Sequence, residues 1–239
     1  MNNLVFYNKE HILPTEPISI AWSGGIDSTY ALKFLLETTE HPIHAYFIAM
    51  HSPGIFEEKR IQVELQACLD MLEELRSIRF FDFQVLKADF PAATARVASL
   101  LSIIQQVNFK NNIYNIFTGV TKDEADSMFE TETESLHILS LSYEFSDTIA
   151  TAWENFTRTA DSAYKLLNKK REFTRLKVLP YENLGSKLDY TRYLGISLVE
   201  KTFTCANTQW LLENQTLCNM CSRCIDRKEA LTILQQEIQ

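Results

Sequence analysis

The stretch Ile18-Ser19-Ile20-Ala21-Trp22-Ser23-Gly24-Gly25-Ile26-Asp27-Ser28 decides the fold of this chain. Residues 18–22 are a short apolar run with strand character, and residues 28–37 carry helical spacing. A strand therefore runs into a helix through a turn with two adjacent glycines. In open α/β sheets that turn is where ligands bind. Gly24 and Gly25 permit torsions closed to other residues, so successive N–H groups can face inward as an anion-binding concavity. The helix N-terminus adds partial positive charge. Ser23 and Ser28 bring hydroxyls within reach of phosphate oxygens, and Asp27 suits magnesium, held directly or through water. The plainer role for Asp27 is a helix cap. The turn lacks the lysine and spacing of G-x4-G-K-S/T and the pattern G-x-G-x-x-G, which excludes the usual kinase and dehydrogenase loops.

Outward from this turn, strand-like and helix-like segments alternate from residue 16 to about 120. That alternation is the pattern of an α/β, doubly wound, mostly parallel sheet of Rossmann-like type, with helices on both faces. Further strands are expected at residues 43–50, 80–86 and 113–117, with a fifth at 176–179. Residues 57–78 form a long amphipathic helix through Ile61, Leu65, Leu69, Leu72 and Leu75. Residues 91–107 supply the next, with Ala95, Ala98, Leu101 and Ile104 on one face. Beyond residue 120 come an acidic tract (122–134), a helical region (about 144–170), a short helix (186–194) stopped by Gly195, and a terminal helix (227–238). The expected organisation is a nucleotide-binding α/β core over residues 1–135 and a helical, zinc-binding segment over 136–239, packed together as one continuous domain.

The chain has 239 residues, of which 46% are hydrophobic and 23% charged, with only 6 Gly and 6 Pro. These values exclude disordered and collagenous chains. A net charge of −8 lacks the basic footprint of non-specific nucleic-acid binding, so nucleic acid is not an expected partner. The longest apolar runs fall well short of the roughly 20 residues that span a bilayer, and the first residues lack the layout of a signal peptide. A cytoplasmic protein without a membrane partner is expected.

Four of the five cysteines crowd near the C-terminus. Cys218, Cys221 and Cys224 form C-x2-C-x2-C, and Cys205 lies upstream. Four soft thiolates that a tight turn aims at one tetrahedral centre point to structural zinc. An iron–sulfur cluster is the alternative, although C-x2-C-x2-C-x3-C-P is absent. Asn219, Ser222 and Arg223 are too polar for the thiols to be core fillers. Cys68, beside Leu65, Leu69 and Leu72, reads as a buried small hydrophobe. The five histidines show no ligand spacing; His51 alone follows a strand end. The tryptophans and Phe80-Phe81-Asp82-Phe83 are expected to fill core and edges.

The turn Ser23-Gly24-Gly25-Ile26-Asp27-Ser28 resembles the PP-loop of ATP pyrophosphatases. The cysteine set followed by Arg227 resembles the zinc motif of the 7-cyano-7-deazaguanine synthase family. Thr118-Gly119 with Asp123, then Leu179-Pro180, Lys187, Leu194-Gly195 and Thr204-Cys205, follow the same family's order. The chain departs from that family at residues 105–112, which hold no arginine, at 126–130 in the acidic tract, and at 51–54 after the second strand.

The resemblance implies an ATP-dependent adenylating ligase that activates a deazapurine carboxylate, similar to 7-carboxy-7-deazaguanine, for attack by ammonia or another amine. AMP and pyrophosphate are the products. It implies ATP, magnesium and zinc as cofactors. Ser23, Gly24, Gly25, Asp27, Ser28, Thr118 and Gly119 would bind nucleotide. Lys187, Asp123 and Asp27 would be catalytic, with Lys187 otherwise a solvated lysine at a helix start. Cys205, Cys218, Cys221 and Cys224 would hold zinc. Relatives in antiviral defence join a deazapurine to a protein or other acceptor, and a PP-loop tRNA-modifying enzyme is a further alternative. A zinc-stabilised nucleotide-binding module without enzymatic activity is the non-catalytic alternative. A homodimer stays open.

Overall fold

The computed structural model describes residues 17–51, 58–89, 103–104, 107–108, 110–111, 113, 115–118, 175–178 and 187–237. Its centre is a parallel sheet of five strands: β1 (Ile18–Ala21), β2 (Ile43–His51), β3 (Asp82–Asp89), β4 (Asn115–Thr118) and β5 (Arg175–Val178). The spatial order is β3-β2-β1-β4-β5. The sheet therefore reverses direction of growth at β1, which pairs in parallel with β2 on one side (Ile18 opposite Ile43) and β4 on the other (Ile18 opposite Asn115). A crevice opens at the carboxyl ends of strands where such a reversal occurs. β5 extends the sheet from beyond residue 135, pairing Thr118 with Val178.

The expected strands all appear, with ends shifted by up to three residues. Strand β3 starts at Asp82, so Phe80 precedes it and is exposed, while Phe81 is buried. Trp22 is buried edge-on to Phe81 and Phe83. The first helix, α1 (Ile26–Thr38), begins two residues earlier than its apolar spacing indicates. Helix α2 (Glu58–Ile78) matches its expected span, but its inner face differs. Ile61, Ala67, Cys68, Met71 and Leu75 are buried, and Leu69 is exposed. Positions 61, 68 and 75 repeat at two turns and define the stripe; Leu69 lies a residue's rotation, about 100°, off it. Of the helix expected over 91–107, residues 103, 104 and 107 are helical, as are 108 and 110, and Ile104 is buried. The tracts at 122–134 and 144–170 lie outside the described residues.

The C-terminal segment holds α3 (Lys187–Leu194), α4 (Ile196–Lys201), α5 (Thr208–Asn214) and α6 (Ser222–Glu237). Gly195, at φ +79°, ends α3 and starts α4 without a connecting loop. Helix α6 begins five residues earlier than expected, which draws Cys224 into its first turn. Tyr190 of α3 stacks on Tyr30 of α1 at 4.6 Å between ring centres, and Lys33 donates to the Tyr193 carbonyl at 2.6 Å. Lys201 of α4 pairs with Glu74 of α2 at 2.6 Å. These contacts fasten the C-terminal helices to the two helices that follow β1 and β2. No described helix is long and apolar enough to cross a membrane.

Polar contacts are also built into the core: Asn108 donates through Nδ2 to the Ser19 hydroxyl in β1 at 2.7 Å, with both residues buried. The aliphatic core itself carries the larger stabilisation. Truncating the fully buried Leu75 leaves a cavity against the sheet. Leu75→Ala should therefore lower unfolding free energy by about 2–5 kcal/mol, read by urea denaturation, whereas Leu69→Ala should cost under about 1 kcal/mol.

Candidate functional site

The turn after β1 sits at the sheet's reversal. Gly24 has φ +74°, in the left-handed region. A Cβ there would lie 3.0 Å from the Glu64 carbonyl oxygen and 3.2 Å from both the Ala67 Cβ and the Cys68 Sγ. Torsion and space both require glycine. Gly25 differs from its sequence expectation: its φ is −79°, and a Cβ would meet nothing closer than 3.6 Å. Only one of the two glycines is thus demanded by the protein's own packing.

Gly25 is the N-cap of α1, and as a glycine it brings no capping side chain. That corrects the capping role considered for Asp27, which sits inside the first turn. The first helical bond runs from Thr29 N–H to the Gly25 carbonyl at 3.0 Å. Among the described residues, no acceptor meets the amides of Gly25, Ile26 or Ser28. Helix N-termini in this state attract anions. Ser28 is buried, and its hydroxyl accepts from the Ser23 N–H at 3.2 Å while lying 3.3 Å from the Gly25 carbonyl. It braces the turn from inside. Ser23, exposed at the mouth, keeps its hydroxyl 3.2 Å from that of Ser28. Trp22 fixes the turn's base by donating from Nε1 to the Thr29 hydroxyl at 3.0 Å.

A second segment closes on the turn from the C-terminal side. Phe203 N–H donates to the Gly24 carbonyl at 2.9 Å, and the Thr204 methyl lies beside Gly25. Residues 202–205 form a strap between α4 and the cysteine site. At its upstream end, Arg227 donates through Nη2 to the carbonyls of Val199 and Glu200, each at 2.8 Å, and through Nε to the Thr202 hydroxyl at 3.4 Å. Those carbonyls lie in the last turn of α4, where no further helical turn follows to receive them, and Val199 also accepts from Thr202. Burial lowers the Arg227 pKa from its ordinary value, opposed by the charges of Cys224 and Glu200.

At the strap's downstream end the four sulfurs of Cys205, Cys218, Cys221 and Cys224 lie within 4.8 Å of one another. Cys218 and Cys224 are 3.9 Å apart. The turn at Asn219, with φ +56°, points the amides of Met220 and Cys221 at the Cys218 sulfur, at 3.4 and 3.2 Å. Ala206 N–H reaches the Cys221 sulfur at 3.5 Å. Burial raises the Cys221 thiol, but backbone donors at Ala206 and Cys224 and the adjacent sulfurs outweigh it and hold it at about 6. Burial with the neighbouring Cys221 and Cys205 sulfurs pushes Cys224 up to about 12. Four sulfurs this close do not all carry charge by themselves; a bound divalent cation removes that conflict. The donor set and its spacing fit such an ion.

The structure brings together Ser23, Gly24, Gly25, Asp27 and Ser28, and separately the four cysteines, with the strap joining the two groups. Thr118 ends β4, the strand beside the turn. Gly119 and Asp123 lie outside the described residues. Lys187 opens α3, and its side chain lies outside them also. His51 is exposed at the end of β2. Cys68 is buried apart from the other cysteines, its thiol 3.7 Å from the Trp22 carbonyl. Sequence reasoning missed the roles of Phe203 and of the backbone at Glu64. The adjacency of Thr204 to Cys205 was the available signal for the strap.

No protein-family model matches the sequence, and no curated protein matches it. Among solved structures, the U34-tRNA thiolase NcsA from Methanococcus maripaludis with its 4Fe-4S cluster is similar at a TM-score of 0.40 and 14% identity. The match covers 90% of this chain and 80% of that one. At that TM-score the likeness decides neither fold nor activity; the strand order establishes the fold.

The two glycines are separable by stability. Gly24→Ala should cost about 1–3 kcal/mol from its torsion and contacts. Gly25→Ala should stay within about 1 kcal/mol. Equal losses in chemical denaturation would contradict the geometry.

Proposed function

We propose that this chain is an ATP-dependent adenylating enzyme of the PP-loop type. The observation that carries this reading is the glycine turn at the sheet's reversal, whose helix amides meet no acceptor among the described residues. Its sequence, Ser-Gly-Gly-Ile-Asp-Ser, matches the loop of enzymes that cleave ATP between the α and β phosphates. The amides at residues 25, 26 and 28 receive phosphate oxygens, and Asp27 would hold a magnesium ion, which would supply positive charge beside the leaving pyrophosphate. A substrate carboxylate oxygen bonds to the α phosphorus as the bond to the bridging oxygen breaks. Pyrophosphate leaves, and an amine then displaces AMP from the acyl carbon. Lys187 and Asp123 complete the catalytic set in this reading.

The acid is a deazapurine carboxylate, a choice supported by the joint presence of the glycine turn and the cysteine motif in the sequence. The ion at the cysteines is zinc. Around one ion with sulfurs about 2.3 Å away, a regular tetrahedron has edges of about 3.8 Å, close to the 3.9 Å between Cys218 and Cys224. A four-iron cluster sets each thiolate on a different iron and needs the sulfurs farther apart than 4.8 Å. The ion supplies folding energy to the C-terminal segment rather than chemistry.

Purified protein with ATP, magnesium and a panel of deazapurine acids and amines should release AMP and pyrophosphate in equal amounts, dependent on the acid. Asp27→Ala should reduce that rate by about 10²-fold or more. ADP and phosphate as products, or no nucleotide turnover with any carboxylate, would defeat the proposal. Elemental analysis should find one zinc per chain and no iron; a brown iron-containing protein would replace zinc with a cluster.

A further inference from the structure

We infer that the backbone amide of Phe203 is a positioning group for nucleotide binding, through which the four-cysteine site and Arg227 together set the direction of a phosphate-binding amide. The inference rests on the ATP-binding reading of the glycine turn.

The peptide between Gly24 and Gly25 is planar and trans, so its C=O and N–H point in opposite directions. Phe203 N–H holds the Gly24 carbonyl at 2.9 Å on the strap side. The Gly25 N–H is therefore turned away from the strap, where no acceptor among the described residues meets it. Gly24 has no side chain with which to resist rotation of this peptide. Its conformation is thus fixed by the packing of α2 on one face and by the Phe203 bond on the other.

Phe203 is itself held at both ends. Upstream, Thr202 donates its N–H to the carbonyls of Leu198 and Val199 at 3.1 Å, and its hydroxyl to Val199 at 2.7 Å. Arg227 grips the same end of α4. Downstream, Cys205 is one of the four convergent thiols. Cys224 and Arg227 stand three residues apart on α6, so neighbouring positions of one helix secure both ends. Only Phe203 and Thr204 separate the anchors, which leaves the strap no slack. Removing the ion frees the Cys205 end and with it the Gly24–Gly25 peptide.

The test uses the full chain, with MgATP as the titrant in calorimetry. Phe203→Pro deletes the N–H, and Thr202 already has φ −66° and ψ 149°, the conformation a residue before proline favours. The reference is Phe203→Ala, which also lacks the ring but keeps the N–H. The proline variant should bind MgATP on the order of tenfold more weakly than the alanine variant, with zinc content equal. Its Gly25 amide resonance should also shift relative to the alanine variant before any nucleotide is added. Equal affinities with an unmoved Gly25 resonance would overturn the inference.

Should the proline variant lose zinc or fail to fold, Arg227→Gln decides. Weaker MgATP binding and faster hydrogen exchange at Phe203 support the inference; wild-type values for both overturn it. Chelation of the metal from the wild-type chain should likewise raise exchange at Phe203, and unchanged exchange counts against it. Absence of MgATP binding by the zinc-loaded wild type would defeat the proposed function, while the Gly25 resonance would still report whether Phe203 positions that peptide.

Discussion

The carbonyl of Gly24 and the amide of Phe203 make one hydrogen bond across 179 residues of chain, and the site's architecture converges on it. On one side of that bond is a turn that glycine alone can adopt, pressed against α2. On the other is a strap between a helix end and a cluster of thiols. Among the described residues, the C-terminal helices otherwise pack on α1 and α2, and without this contact the Gly24–Gly25 peptide would lose the partner that fixes its direction from that side. Preorganised donors are effective because they need no reorientation when charge arrives.

The rest of the fold serves to place that contact. Parallel pairing of β1 with both β2 and β4 brings the turn to the reversal point. The buried stripe of α2 sets Ala67 and Cys68 against Gly24, and Cys68 is pressed there as a hydrophobe: its thiol is raised by burial, with the Glu64 charge adding to the effect. The aromatic stack of Tyr30 on Tyr190, with Lys201 on Glu74, holds the C-terminal helices close enough for the strap to reach. The cysteine cluster closes the far end of this assembly with Cys205, Cys218 and Cys224 buried, and an ion bound there would supplement the small core that a short irregular segment can build.

Much of this was legible in the sequence. Strands β1 and β2 announce themselves as apolar runs between turn residues, because central parallel strands buried on both faces need continuous hydrophobicity, whereas β3 at the sheet edge exposes Gln84, Val85 and Lys87 and shows a mixed pattern. The glycine turn and the cysteine spacing are local signals and were read directly. What the sequence concealed was non-local. Leu69 looks equivalent to Leu65 and Leu72 by composition, yet the helix's angular phase, set by Cys68 and Leu75 against the sheet, turns it outward. Gly25 looks equivalent to Gly24, but only Gly24 takes a left-handed torsion, since α2 approaches at that position. The early start of α6 was hidden because a turn rich in cysteine carries no apolar periodicity. Phe203 acts through its backbone, and a backbone donor leaves no trace in residue identity.

A crystal structure of the zinc-loaded chain with magnesium and a non-hydrolysable ATP analogue tests the central claim most directly. The account predicts phosphate oxygens within hydrogen-bond distance of the amides of Gly25, Ile26 and Ser28, with Phe203 still bonded to Gly24. Phosphates seated elsewhere, with those amides turned toward the protein's own acceptors, would contradict it.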